Sequence, residues 1–152
     1  MKTALAAGLA MLVAVSAASA QMVKPGDVTF VDNTVPQSLT GQPGDPAKGR
    51  DWVVGRKLGN CLACHANSDM VQEPYHGEVA PPLDGAGNRW SEAELRAIVI
   101  NSKVAFSPET IMPAFYRDSG FNRVAKTFEG KTILTAQQVE DVVAYLMTLT
   151  KE

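Results

Sequence analysis

The chain has 152 residues, with 14 Lys and Arg against 16 Asp and Glu, a net charge of −2, two cysteines and two histidines. That length suits one domain. It carries no basic stripe of the kind a nucleic-acid surface needs, and past its first 20 residues no apolar run approaches membrane length.

Those first residues, "MKTALAAGLAMLVAVSAASA", read as a leader rather than as part of the fold. Lys2 supplies a positive start, residues 4–15 form an apolar run too short to cross a bilayer, and Ala18-Ser19-Ala20 has the small-x-small pattern of a cleavage site. An uncleaved anchor is the alternative. Cleavage after Ala20 is expected, giving a mature chain that starts at Gln21 and, without Lys2, has a net charge of −3.

Residues 21–45 end in "PQSLTGQPGD" and show no helical period, so they predict an extended, irregular arm. Within it "DVTFV" (27–31) could form a short strand or lie along another surface. The arm reads either as a linker or as a docking segment. Order is expected from residue 46 to 152. Asp45-Pro46 is a cap followed by proline at the first helical position, and the spacing predicts a helix to about Leu58 with Trp52 and Val53 on its buried side and Gly59 as its stop.

Next comes "GNCLACH", then an irregular stretch (68–88) broken by Pro74, Gly77, Pro81, Pro82, Gly85 and Gly87. Ser91 and Glu94 form a capping box for a second helix, with Leu95, Ile98 and Val99 at helical spacing and an end near Asn101-Ser102. Pro108 and Pro113 keep the following segment a loop. Thr135 and Gln138 make a second capping box, and Val139, Val142, Val143, Leu146 and Leu149 form one apolar stripe on the last helix. The expectation is an all-α domain of three to four helices with long proline-rich loops. Loops that long usually wrap something, and so few helices make a thin core.

Cys61-x-x-Cys64-His65 says what is wrapped. A thioredoxin-type redox pair would need alternating strands and helices, which the pattern lacks. A zinc site built from Cys61, Cys64, His65 and His76 would need the adjacent Cys64 and His65 to converge on one tetrahedral centre. Covalent haem c fits better: two thiols on one turn of chain reach two vinyl groups as thioethers, and the histidine that follows lies beneath the iron. Haem would also supply the missing apolar core. Export agrees with that attachment chemistry.

The second axial ligand is sought among Met70, His76, Met112 and Met147. Met70 is tethered too close to His65, Met147 adjoins the stripe of the last helix, and His76 reads as a surface histidine. Met112, in the loop "TIMPAF", is far enough along the chain to return over the opposite face. Met/His ligation saturates the iron and favours electron transfer over oxygen or peroxide chemistry. A carbonyl near Pro81 can hold Nδ1 of His65. Arg89 and Trp90 read either as donors to the haem propionates or as ordinary surface and packing residues.

"GNCLACH", "APPLDGAGNRWSEAELRAIVINSK", "TIMPAFYR" and "GKTILTAQQVEDVVAYLMTL" together resemble the SoxX family, small class I cytochrome c-like subunits of the SoxAX complex of bacterial sulfur oxidation. The resemblance covers nearly all of the mature chain. It implies a cytochrome c-like fold with one covalent haem c, attached at Cys61 and Cys64 with His65 proximal and Met112 distal. It also implies a periplasmic heterodimer with a SoxA-type cytochrome that holds the catalytic haem, and transient contacts with the SoxYZ carrier and a small soluble cytochrome c. Thiosulfate would be joined oxidatively to a SoxYZ cysteine on that partner. With both thiols taken up as thioethers, this chain would have no catalytic residue of its own and would serve as the electron outlet. A freestanding shuttle cytochrome is the competing reading, and a haem sensor or peroxidase with an open sixth site is a third.

Overall fold

The computed structural model describes residues 22–151; the expected leader lies outside them. The helices are α1 (Pro46–Val54), α2 (Ala86–Arg89), α3 (Glu92–Ala105) and α4 (Ala136–Thr148), with single 3-10 turns at Pro25–Asp27, Cys61–Ala63, Ser68–Met70 and Lys126–Phe128. Among the described residues there is no strand, only isolated bridges between Val31 and Thr34 and between His65 and Ala80. No described helix is long and apolar enough to cross a membrane.

Both capping boxes are present. Ser91 Oγ accepts from the Glu94 amide at 3.3 Å while the Glu94 carboxylate accepts from the Ser91 amide at 2.7 Å. Thr135 and Gln138 repeat the exchange at 3.3 and 2.8 Å. Asp45 caps α1 through the amides of Ala47 and Lys48, and Pro46 gives up no hydrogen bond at the first helical position.

Three local expectations need correction. α1 stops at Val54 rather than near Leu58, because Gly55 turns out of the helix (φ −60°, ψ 104°) after its amide closes on the Asp51 carbonyl. The stretch expected to be irregular contains the one-turn α2, entered through Gly85 in a left-handed conformation (φ 68°). α3 runs on to Ala105, but with Asn101 out of helical geometry (φ −157°, ψ 89°), so the expected end survives as a kink. Of the two readings open for residues 27–31 the strand is absent, and the segment lies along the core instead, with Val28 and Phe30 packed against it. Asp32 and Asn33 both take positive φ (48° and 63°), a two-residue turn that closes only the Val31–Thr34 pair.

α4 is the axis. Its stripe residues Val139, Val142, Val143, Leu146 and Leu149 are all buried, and α1 and α3 pack against it. α1 crosses so closely that a Cβ on Gly49 would be driven into the Asp141 carbonyl and would lie 2.8 Å from the Tyr145 Cβ. The two acids beside the stripe are buried as well. Asp141 accepts from the Asp45 amide (2.9 Å), the Trp52 indole N–H (3.2 Å) and Gln137 (3.1 Å), fixing α1 from both ends. Glu140 accepts from Arg96 Nε (3.0 Å) and from a terminal guanidinium nitrogen (2.9 Å), tying α3 to α4.

The arm belongs to this same network. The Leu39 amide donates to Glu140 at 2.7 Å, Arg96 reaches the Val35 carbonyl at 3.0 Å, and Val35 pairs its amide with Ala93 at 3.0 Å. Val35 and Leu39 join the core, and the Tyr116 hydroxyl closes on the Val23 carbonyl at 2.7 Å. The arm's inner side is packed on its own chain rather than loose.

Gly49→Ala is expected to destabilise the protein by about 1–3 kcal/mol, since backbone carbonyls cannot step aside as a side chain can. Denaturant unfolding would read this as a lower midpoint at unchanged slope. An unmoved midpoint would show that the helices can separate freely at this crossing.

Candidate haem site

After α1 the chain turns through residues 56–59 to Asn60, whose left-handed backbone (φ 49°) starts the Cys61–Ala63 turn. The amides of Cys64 and His65 both close on the Cys61 carbonyl, at 3.1 and 3.0 Å. Cys61, Cys64 and His65 thus share one tight turn. The two cysteines form no disulfide and are half-buried, and burial pushes the Cys61 thiol up to about 12. Among the described residues no three His, Cys, Asp or Glu side chains are placed to share one metal ion.

The proline loop runs alongside this turn. The amides of Gly77, Ala80 and Leu83 donate to the carbonyls of Leu62, Cys64 and Ala66 at 2.8 to 2.9 Å. A side chain on Gly77 would strike the Ala63 carbonyl, so only glycine permits that approach. The loop brings the Pro81 carbonyl to 2.6 Å from Nδ1 of His65. A carbonyl cannot donate, so Nδ1 carries the proton and Nε2 keeps its lone pair free for a metal. Arg89 turns its guanidinium to the carbonyls of Pro82 (2.9 Å) and Asp84, which braces the loop around Pro81. Trp90 stacks edge-on against Phe106 at 5.6 Å.

Two adjoining apolar cavities, about 390 and 610 Å³, share Cys61, His65, Pro81, Met112, Phe106 and Phe115 as common walls. Arg89 and Trp90 line the smaller one and Cys64 the larger. The remaining walls are mainly aliphatic, from Val53, Leu95, Val99 and Leu134 on one side and Val79, Ile111 and Ile133 on the other. Two thiols, an imidazole with a free nitrogen and a thioether thus meet around apolar space. That donor set fits a covalently attached porphyrin and its iron.

The family comparison decides the matter: residues 53–150 match the cytochrome c family model. The chain belongs to the cytochrome c family. A cytochrome c carries covalently bound haem c and serves electron transfer, and the all-α fold expected from the sequence is the one observed. No curated protein matches the chain. Among solved structures, a chain of the crystal structure titled SoxXA from P. pantotrophus is 46% identical, with a TM-score of 0.81; the match covers 86% of this cytochrome and 100% of that chain. The resemblance to SoxX is thereby borne out.

Sequence reasoning overlooked what holds the turn after His65. His76 is no plain surface histidine: Nδ1 accepts from the Asn67 amide at 3.2 Å and Nε2 donates to the Met70 carbonyl at 3.0 Å. Asn67, 1% exposed, donates its side-chain amide to the Tyr145 hydroxyl at 2.8 Å, and that hydroxyl donates to Asp69 at 2.9 Å. Asn67-Ser68-Asp69 after a ligand-bearing turn was the available signal, as an Asx turn that needs a partner from elsewhere.

Burial and the bond to Asp69 push the Tyr145 phenol up to about 12, against about 10 in the unfolded chain. Its stabilising share is therefore full below pH 10 and lost as pH rises toward 12. Tyr145→Phe is expected to cost about 1–3 kcal/mol at neutral pH, because buried Asn67 loses its partner. It should also flatten the alkaline fall in stability. Urea melts on either side of pH 10 check both, and an identical alkaline slope in the variant would refute the assignment.

Proposed function

We propose that this cytochrome is the electron-transfer subunit of a periplasmic complex of the SoxAX type. The observation that carries the reading is the 46% identity across the full length of a chain from the SoxXA structure. Cys61 and Cys64 would attach a single haem c, and His65 and Met112 would hold its iron; this is supported by the cavity walls that all but Cys64 share. Pro81 sets the tautomer of His65. Arg89 and Trp90 stand at the rim of the smaller cavity, where propionates would need donors.

When bound, the haem supplies a reversible one-electron couple. The chain's own residues would hold it, with His65 and Met112 as ligands to its iron and the apolar walls keeping water away. With both cysteines bonded as thioethers, no sulfur nucleophile remains, so substrate chemistry falls to the partner, a SoxA-type cytochrome. There the terminal sulfur of thiosulfate would join a cysteine sulfur of the SoxYZ carrier with loss of the thiol proton, and the two electrons released would pass by way of this chain to a small soluble cytochrome c. The leader supports export to the periplasm. Because the arm's inner side is packed on α3 and α4, any docking by the arm falls to its outer residues, of which Met22 and Val31 are exposed.

Gentle purification of the tagged chain from its native periplasm, with intact masses of everything that elutes, tests the assembly. The expected result is a chain starting at Gln21 plus one haem, with a second haem-bearing polypeptide in equal amount. A single haem-bearing chain, eluting alone even at low salt, would make this a freestanding shuttle. Met112→Ala is expected to open a coordination site and lower the reduction potential; an unchanged oxidised spectrum would remove Met112 from the ligand set.

A further inference from the structure

The kink in α3 and the Met112 loop fit each other. At the break around Asn101 the carbonyls of Val99 and Ile100 accept from the amides of Phe115 and Tyr116, at 3.3 and 3.1 Å. The Lys103 amide turns instead to the Asn101 side chain at 3.2 Å. Past the break, fully buried Ser102 donates its hydroxyl to the Met112 carbonyl at 2.9 Å. The Lys103 ammonium donates to that same carbonyl at 3.0 Å and to the Thr110 carbonyl at 2.7 Å. Among the described residues no carboxylate lies within salt-bridge distance of Lys103. Its charge is therefore committed to a backbone loop, not to an ion pair.

We propose that Lys103, assisted by Ser102, is a positioning residue that holds Met112 at the cavity and sets how readily its thioether leaves the iron. The proposal rests on Met112 being the axial ligand. Between Ser107 and Pro113 the loop's backbone makes one hydrogen bond to itself, from the Thr110 amide to the Ser107 carbonyl. Within the loop, Thr110 Oγ1 accepts from the Met112 amide at 3.4 Å and Ser107 Oγ from the Glu109 amide at 3.3 Å, while the bonds that tie it to the rest of the chain come from Ser102 and Lys103 of α3. Hydrogen bonds from an ammonium are among the stronger ones, so opening this loop means breaking two charge-assisted bonds at once. The same ammonium puts a positive charge beside the ligand residue, which favours the reduced iron.

The test uses the holo-protein with Lys103→Met, Lys103→Arg and Ser102→Ala. Imidazole is titrated into the oxidised protein, following loss of the red-edge absorption of methionine-ligated ferric haem, and potentials are measured alongside. Lys103→Met is expected to bind imidazole at least about tenfold more tightly and to show a lower potential. Lys103→Arg should stay near the parent in both. If Lys103→Met has a lower melting temperature but parental imidazole affinity and potential, the lysine is merely structural and the proposal is overturned. If that variant yields no holo-protein, Ser102→Ala decides: a smaller gain in imidazole affinity supports the clamp and an unchanged affinity overturns it. Met112→Ala run in parallel separates the two claims. Retention of the red-edge absorption there would remove the axial reading itself. Its loss, beside an unresponsive Lys103→Met, would remove only the positioning role.

Discussion

The close crossing of α1 over α4 at Gly49 is the constraint on which the rest of the structure depends. Without a side chain between them, the two backbones approach until Asp141 can take both the Asp45 amide and the Trp52 indole. That fixes where α1 points when it ends at Val54, and so where the Cys61–Ala63 turn begins. Tyr145, at the same crossing, reaches Asn67 and Asp69 on the far side of that turn. One helix pair thus sets both flanks of the segment that bears Cys61, Cys64 and His65.

The two loops that face the cavity are held in a common manner. Neither belongs to a sheet or long helix, and each is gripped through its carbonyl oxygens by a basic side chain from a neighbouring helix. Arg89 takes Pro82 and Asp84, beside the carbonyl that fixes His65; Lys103 takes Thr110 and Met112. Carbonyls have two lone pairs, so they accept such bonds without losing other partners. The scheme lets apolar side chains fill the cavity walls while polar atoms are satisfied behind them; among the described residues no buried side-chain nitrogen or oxygen lacks a partner.

Much of this was legible in the sequence, and the reasons for the rest are specific. Capping boxes are local, so Ser91/Glu94 and Thr135/Gln138 announced α3 and α4 correctly. The Cys61-x-x-Cys64-His65 spacing is also local chemistry. What escaped were effects decided by distant partners. Glu140 and Asp141 look like the solvent side of an amphipathic helix, yet they are 4% and 3% exposed because the arm and α1 cover that side too. Gly59 was the stop expected for α1, and no local rule ranks it below Gly55, where the helix in fact ends. The kink at Asn101 is matched to amides fourteen and fifteen positions later, and Arg89 and Lys103 serve loops whose course only the fold reveals.

Glu140 has a bearing on the order in which the chain can mature. The Leu39 amide and the Glu140 carboxylate that receives it are 101 positions apart, and α1 likewise finds its seat only on α4. The arm and α1 on one side and α4 on the other therefore stay apart until the last helix is made, and contacts of such long range form late because the loop between them must first be closed. Until then the segment between them, with both thiols, lies outside any finished core. A chain built in this order stays open to covalent loading for as long as its C-terminal helix is missing, and closes around what it has received once that helix docks.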